Sequence, residues 1–294
     1  MTSSQVFRFL SGAAAARDVK IVAESGHLRW WNAWQIRRAL RRGMPVAKII
    51  GWKWFYGLKF ATTRATLDPR PDSETLVDAV LRIANREPRT TILDLGTGTG
   101  CLVCAIVKNI PGAVGVGVDK SWRARRVARK NVRALGLAGR VEIRRGSFAQ
   151  PGGAFFDKKR RPAKPDNNSP LRGDGVLHQS TPHQAELIIV ANPPYIRPGE
   201  KINIGASFDP KMALYGGADG LKFYREIAKS IAPMCSLRSP MSTWGPRSSR
   251  GMTLFVEIGA GQAAAVKKIF AASGRRFIRS YKDLSARIRV LEFC

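Results

Sequence analysis

The chain has 294 residues, 44% of them apolar, and 50 Lys and Arg against 21 Asp and Glu, which gives a formal net charge of +29. This apolar fraction is enough for a packed core, and no apolar run approaches the about 18 residues that a membrane span needs. Composition therefore argues against a disordered chain and against a membrane partner, and predicts one large or two modest globular domains.

The excess of positive charge has two interpretations. Basic residues crowd 123–145 and 158–164, and such charge attracts RNA, the ribosome or an acidic protein. The alternative is compositional, with Lys and Arg spread over solvated helix faces. Because basic residues occur in nearly every segment rather than in one stripe, we favour the compositional interpretation and leave nonspecific RNA or ribosome contact open.

The cysteines bear on metal binding and on compartment. Cys101 and Cys104 have the spacing of a metal or redox pair, but no second pair and no His cluster accompanies them. We therefore expect them to pack inside a helix, with no metal bound. Free cysteines predict a reducing compartment: the cytoplasm, or an organellar matrix if the acid-free first 17 residues are a presequence.

The predicted elements begin with helices in residues 1–44 and a β-hairpin in 46–66. Asp72 and Ser73 are placed to cap a helix that begins near Glu74. Strands and helices alternate beyond it, which predicts an α/β fold with a mostly parallel sheet. The predicted strands are 91–95, 113–118, 140–144, 186–191, 252–258 and a last hairpin strand near 287–293, and the predicted helices are 100–109, 121–135, 219–232 and 261–273. Two polar, Pro-containing stretches are predicted to be loops: a flexible insertion at 151–184, and 235–250.

A glycine turn, Gly96-Thr97-Gly98-Thr99-Gly100, connects the strand at 91–95 to the helix that follows it. A strand, such a turn and a helix form the nucleotide-binding half of a Rossmann-like unit, in which glycines let the backbone approach a ligand. The next strand ends in Asp119, whose carboxylate is placed to accept hydrogen bonds from ribose hydroxyls. Because the spacing is not that of a dinucleotide site, S-adenosyl-L-methionine fits better than NAD.

The strand at 186–191 runs into Asn192-Pro193-Pro194-Tyr195, the Asn-Pro-Pro-Tyr segment. Two prolines cannot continue a central strand, so the chain leaves the sheet at its carboxyl edge, where α/β sheets bind ligands. The segment offers a side-chain amide, a backbone carbonyl before a proline and an aromatic face. That set suits the holding of a planar –NH2 group, and a stiff turn without function is the alternative.

These motifs, with several flanking segments, resemble one family. From about Pro45 to the C-terminus the chain is similar to the HemK/PrmC-type class I methyltransferases, which methylate a glutamine side-chain nitrogen (N5) in peptide chain release factors. The similarity rests on Asp94–Gly100, Asp119 and the Asn-Pro-Pro-Tyr segment, and on stretches at 45–58, 67–77, 208–221, 257–262 and 282–289. It implies a Rossmann-like fold, with a mostly parallel seven-stranded sheet and helices on both faces. It also implies three parts: a short N-terminal helical region (1–44), a β-hairpin linker (45–68) and the methyltransferase domain (69–294).

The resemblance also implies roles for individual residues. The Asn192 oxygen and the Pro193 carbonyl would accept the amide hydrogens of the glutamine in a Gly-Gly-Gln motif, while Pro194 and Tyr195 pack on its plane. The catalytic residues are therefore expected to be Asn192, Pro193 and Tyr195. The residues expected to bind S-adenosyl-L-methionine are Gly96, Thr97, Gly98, Thr99, Gly100, Asp119, Phe148 and Asn192. Phe148 would lie against the adenine, whereas Ser147 stands where the family commonly has an acidic residue.

Two other functions stay open at this level. A nucleic-acid amino methyltransferase, acting on adenine N6 or guanine N2, would use the same Asn-Pro-Pro-Tyr segment, and the charge favours it. Such an enzyme would need a module for base recognition, and none is evident. A degenerate binding protein without cofactor is the third possibility, and the intact glycine turn argues against it.

Overall fold

The computed structural model describes residues 3–27, 29, 31–84, 90–149, 186–232 and 252–294. The predicted insertion at 151–184 and the predicted loop at 235–250 lie outside these described residues. Within them, no helix is both long enough and apolar enough to cross a bilayer.

The described residues of the N-terminal part form four helices and a hairpin. The elements are α1 (Ser3–Ser11), α2 (Ala16–Glu24), α3 (Ala33–Arg41), α4 (Val46–Ile50), β1 (Trp52–Phe55) and β2 (Leu58–Ala61). The helices share a small core that includes Leu10, Val22, Ile36 and Ile50. Residues 46–50, predicted as part of the hairpin, are helical instead, and Gly51 ends this helix with a φ of 80° in the left-handed region.

The rest of the described chain alternates helices and strands around one sheet. The helices are α5 (Glu74–Ala84), α6 (Cys101–Asn109), α7 (Trp122–Ala134), α8 (Lys222–Ile231) and α9 (Ala263–Ala272). The strands are β3 (Thr90–Leu95), β4 (Val114–Asp119), β5 (Val141–Arg145), β6 (Glu186–Ala191), β7 (Met252–Glu257), β8 (Phe277–Lys282) and β9 (Ile288–Phe293). Their order is β5-β4-β3-β6-β7-β9-β8, with β9 antiparallel to both of its neighbours and all other pairs parallel.

Helices cover both faces of this sheet. Buried side chains of α5 and α6, such as Leu76 and Ile106, pack on one face. On the other face, Tyr224 and Ile227 of α8 join Phe270 of α9. The near-continuous apolar runs of β3, β6 and β7 fit strands that are buried on both sides. The Rossmann-like class I fold predicted from the sequence is confirmed.

The strand order predicts a crevice at the carboxyl edge. From β3 the chain moves outward to β4 and then β5, and it returns to the other side of β3 to form β6. The loops that follow β3 and β6 therefore leave the sheet in opposite directions. Such a switch point is where open α/β sheets bind ligands, and it lies between the glycine turn and the Asn-Pro-Pro-Tyr segment.

A buried ion cluster fixes the chain that enters this crevice from the hairpin side. The Lys48 ammonium lies 2.8 Å from Asp68 and 2.9 Å from Asp209, and Arg70 lies 2.5 Å from the other oxygen of Asp209. The Thr63 and Thr66 carbonyls also lie 2.7 and 2.5 Å from the Lys48 nitrogen, so four acceptors share its three hydrogens. Paired and hydrogen-bonded in this way, the buried charges hold residues 68–70, and through them the short 3₁₀ turn Pro71–Ser73, in place.

Candidate active site

Register brings four strand ends to one level of the sheet. Leu95 pairs with Val118 and with Ala191, and Ala191 pairs with Val256. The residues one position further on are therefore neighbours along the carboxyl edge. They are Gly96, Asp119, Asn192 and Glu257.

The glycine turn is folded back on β4. The backbone N–H groups of Gly96 and Thr97 both donate to the Val118 carbonyl at 2.9 Å. Gly96 and Gly98 have φ values of 75° and 57°, in the region that glycine reaches without strain. Gly96 is exposed and Gly98 half-buried, so these two residues present bare backbone to the crevice.

The other three residues of the turn face inward. The Thr97 hydroxyl donates to a carboxylate oxygen of Asp94 at 2.6 Å, and Thr99 is buried. A Cβ at Gly100 would lie 3.4 Å from the Ala128 methyl group, so Gly100 lets α7 pack closely. Burial raises the pKa of Asp94 to about 7. The predicted cofactor contacts of Thr97, Thr99 and Gly100 stay predictions, and the Thr97 hydroxyl ties the turn to Asp94.

Asp119 is tied to the turn that it faces. One carboxylate oxygen accepts the Gly98 N–H at 3.0 Å, and the other accepts the Ser121 N–H at 2.8 Å. Burial raises the pKa of Asp119, and these two hydrogen bonds oppose the shift. Each oxygen keeps a further lone pair for a hydroxyl donor.

Phe148 lies over the glycine turn. A Cβ built on Gly96 would come within 2.6 Å of the Phe148 ring, and the Phe223 ring packs against Phe148 at a centroid distance of 5.1 Å. The ring thus forms an apolar wall beside the exposed backbone of Gly96, on the side of β5. Its predicted contact with an adenine stays a prediction.

Asn192 is held from behind. Its Nδ2 donates to the Ser73 hydroxyl at 3.0 Å, across 119 positions of sequence. Asn192 is half-buried, whereas Pro193 and Pro194 are buried. The prolines therefore anchor the segment in the protein while the carboxamide borders the crevice.

Tyr195 is fixed through its backbone and its ring. Its carbonyl accepts from the Gln262 amide at 3.1 Å, and Gln262 in turn accepts from the Tyr224 hydroxyl at 3.2 Å. A Cβ at Gly259 would lie 2.9 Å from the Tyr195 ring. Burial raises the pKa of Tyr195 to about 12, so its hydroxyl stays protonated at neutral pH.

Gly216 leaves room for Pro194 and Tyr195 of the Asn-Pro-Pro-Tyr segment. A Cβ there would lie 2.5 Å from the Pro194 carbonyl oxygen and 2.9 Å from the Tyr195 Cα. We expect Gly216→Ala to lower the free energy of unfolding by about 1–3 kcal/mol, because the crowded atoms are backbone. Urea denaturation measures it. Gly139→Ala is the matched control, since no atom lies within 4 Å of its added Cβ, and equal stabilities of the two variants would contradict the prediction.

The sequence reasoning did not assign Ser73, Glu257 or Gln262 to the site. Glu257 ends β7 as Asp119 ends β4, so a carboxylate at the carboxyl end of a predicted strand was the signal available for it. Ser73 was interpreted as a helix cap, and its contact with Asn192 depends on tertiary structure. Gln262 gave no such signal, because it is placed by packing between two loops.

The two spaced cysteines take no visible part in the site. Burial raises the pKa of Cys101 to about 12 and raises that of Cys104 as well, which keeps both as thiols. Among the described residues, no group of three or more His, Cys, Asp or Glu side chains is arranged to hold a metal ion.

The sequence of this chain matches a methyltransferase family model and several methyltransferases. The family model for the methyltransferase small domain matches residues 71–157. The release factor glutamine methyltransferase of Cereibacter sphaeroides is 35% identical over 257 residues, which cover 86% of this chain and 75% of that protein. The release factor glutamine methyltransferase of Bradyrhizobium diazoefficiens is 34% identical over 279 residues, which cover 90% and 79%.

Among solved structures, similarity extends to the fold. The catalytic domain of hMettl16, in complex with MAT2A 3'UTR hairpin 6, matches with a TM-score of 0.54 and 13% identity, over 81% of this chain and 76% of that one. At this identity the match supports a methyltransferase fold and nothing about the substrate.

Proposed function

Since this chain belongs to the release factor glutamine methyltransferases, we propose that it transfers a methyl group to the side-chain amide nitrogen (N5) of the glutamine in a Gly-Gly-Gln motif. The donor is S-adenosyl-L-methionine and the partner is a peptide chain release factor. One observation carries the proposal: the Asn-Pro-Pro-Tyr segment and the glycine turn follow paired ends of neighbouring strands, Ala191 and Leu95.

The residues around the glycine turn suit S-adenosyl-L-methionine. Gly96 and Gly98 present backbone without side chains, and the Phe148 ring lies beside them. The Asp119 carboxylate keeps lone pairs for two ribose hydroxyls while it anchors the turn. When bound, this molecule supplies an electrophilic methyl group on a sulfonium sulfur.

The chain's own residues hold the nucleophile. An amide nitrogen is a poor nucleophile because its lone pair is delocalised into the carbonyl. The Asn192 Oδ1 and the Pro193 carbonyl accept its two hydrogens and stabilise the positive charge that develops on nitrogen. Pro194 and Tyr195 fix the plane of the amide, so that its lone pair is aligned, and fixed geometry of this kind is worth several kcal/mol. The methylated amide cation loses its proton readily, so the chain need not supply a base.

Because the proposed partner, a release factor, acts in translation, we infer that the compartment is the cytoplasm, with an organellar matrix as the alternative. A formal charge of +29 speeds encounter with an acidic protein surface at low salt. It also permits nonspecific contact with RNA or the ribosome, without making either a substrate.

Transfer of labelled methyl tests the proposal. The protein is incubated with labelled S-adenosyl-L-methionine and, in separate reactions, a release factor with Gly-Gly-Gln, its Gln→Ala variant and total RNA. We expect label on the first alone. Label on RNA would favour the nucleic-acid alternative, and label on the Gln→Ala variant would show that another residue of the release factor accepts the methyl group.

A further inference from the structure

A buried carboxylate and a buried hydroxyl lie behind the Asn192 carboxamide. Glu257 is 1% exposed and Ser73 is 3% exposed. The Asn192 Nδ2 donates to the Ser73 hydroxyl at 3.0 Å, and Asn192 and Glu257 follow the paired strand residues Ala191 and Val256. Interaction with the Ser73 and Asn192 side chains lowers the pKa of Glu257, against the larger effect of its burial. Three side chains from the turn before α5, from the end of β6 and from the end of β7 therefore form one polar cluster.

The chemistry of these groups decides which way the carboxamide points. The two ends of an amide have nearly the same shape, yet only its oxygen can accept a hydrogen from a substrate –NH2 group. A serine hydroxyl can donate or accept, so Ser73 alone does not select an end. An ionised carboxylate only accepts. It therefore makes the Ser73 hydroxyl its donor, and the Ser73 lone pairs then face the Asn192 Nδ2.

A purely structural ion pair does not account for Glu257. The guanidinium of Arg289 lies near it, but its Nη2 lies 3.1 Å from both Asp72 and Asp283, and its Nη1 donates to the Ile258 carbonyl at 3.3 Å. Within the described part of the chain, no cation lies within 4.0 Å of the Glu257 carboxylate, and its Oε2 makes no hydrogen bond. Burial of a carboxylate in this way costs stability, as expected of a group that serves the site.

We propose that Glu257 and Ser73 are positioning residues, which hold the Asn192 carboxamide with its nitrogen toward the protein and its oxygen toward the substrate amide. The inference rests on the proposed function, because it assigns these residues to the acceptor of that same reaction. Neither Glu257 nor Ser73 needs to touch the substrate.

Protonation of Glu257 would weaken this selection. Burial raises the pKa of Glu257 to about 7, hydrogen bonds from Ser73 and Asn192 and the charge of Arg289 oppose the shift, and Asp72 adds to it. The other titratable groups that interact with Glu257 are Tyr195, Tyr224 and Cys101. A protonated Glu257 can donate as well as accept, so the amide can reverse, and kcat is expected to fall as the pH drops through about 7.

Glu257→Gln and Ser73→Ala test whether these residues affect kcat. We expect each to lower kcat by about 10- to 100-fold, with little change in the KM for the release factor or in the affinity for S-adenosyl-L-methionine. Ser73→Thr, which keeps the hydroxyl, should restore most of the rate, and Glu257→Gln should lose the fall in kcat near neutral pH. Full kcat in both Glu257→Gln and Ser73→Ala would overturn the proposal.

Glu292→Gln is the matched control for loss of a buried carboxylate. Glu292 is 7% exposed on the neighbouring strand β9 and accepts from the Tyr281 hydroxyl at 2.5 Å, away from Asn192. Glu292→Gln should lower the free energy of unfolding without lowering kcat. If it lowers kcat as much as Glu257→Gln does, the effect of Glu257→Gln on kcat is one of general destabilisation.

The free energy of unfolding of Glu257→Gln should not fall in this way. The raised pKa of Glu257 means that the carboxyl favours the folded state below its unfolded pKa and that this advantage is lost as the pH rises through about 7, so above that pH the variant should be no less stable than the parent.

A measurement without turnover separates this inference from the proposed function. The carboxyl carbon of Glu257, assigned by comparison with Glu257→Gln, is followed by ¹³C NMR as a function of pH. We expect it to titrate near neutral pH and its titration to move in Asn192→Ala. If Glu257 titrates in Asn192→Ala as it does in the parent protein, the inference is overturned. Absence of methyl transfer to the release factor by the parent protein would overturn only the proposed function.

Discussion

Replacement of Asn192 by alanine is expected to lower kcat for methyl transfer by about 100- to 1000-fold, the usual loss when one group that stabilises developing charge is removed. In the proposed reaction the Asn192 oxygen is the side-chain acceptor of an amide hydrogen, and its chain neighbours Pro193 and Pro194 have no polar side-chain atom to replace it. Although Asn192 is also expected to border S-adenosyl-L-methionine, affinity for that molecule should stay largely intact, because the glycine turn and Asp119 are held by their own hydrogen bonds. Single-turnover kinetics and calorimetry measure the two quantities.

Asn203→Ala is the matched control for this substitution. The Asn203 side chain accepts from the Gly205 N–H at 2.8 Å, in an exposed turn outside the crevice. It should leave kcat unchanged. Full activity in Asn192→Ala would remove the Asn-Pro-Pro-Tyr segment from the chemistry.

Replacement of Asp119 by alanine is expected to act on the donor instead. Hydrogen bonds to a charged group are worth about 1.5–3 kcal/mol each, so loss of the carboxylate should weaken binding of S-adenosyl-L-methionine by about 10- to 100-fold. Part of the loss comes from the Gly98 N–H, which would lose the acceptor that holds the turn at 3.0 Å. Isothermal titration calorimetry gives the dissociation constant directly.

Asp119→Asn separates the two contributions. The asparagine keeps one oxygen as an acceptor but removes the charge, so its dissociation constant should lie between those of the parent and of Asp119→Ala. At saturating S-adenosyl-L-methionine, Asp119→Ala should recover most of kcat, whereas Asn192→Ala should not. Unchanged affinity in Asp119→Ala would exclude the carboxylate from the donor site.

Much of the fold and part of the site could be predicted from sequence because they depend on local pattern. The apolar runs that form β3 and β6 end at the glycine turn and at the Asn-Pro-Pro-Tyr segment, and parallel strands place their carboxyl ends at one edge. Strand ends predicted within one or two residues were therefore enough to bring Gly96, Asp119 and Asn192 together.

The misses have physical reasons. Val46–Ile50 is rich in β-branched residues and suits a strand, yet it forms a helical turn between Pro45 and the left-handed Gly51. The strand β8 was not assigned bounds, because its alternation is irregular and its pairing with β9 shifts register twice. The proposed roles of Ser73 and Glu257 depend on their interactions with Asn192, from which each is more than 60 positions away in sequence. No local pattern encodes such contacts, although a carboxylate at the end of β7 was visible.

Mass spectrometry of the product shows which atom of the release factor receives the methyl group. A release factor is incubated with the protein and S-adenosyl-L-methionine, digested, and sequenced by fragmentation across its Gly-Gly-Gln motif. We expect one added methyl group on the side-chain amide of that glutamine, and none when Asn192→Ala is used. A methyl group on another residue, or a release factor that stays unmodified while RNA is methylated, would contradict it.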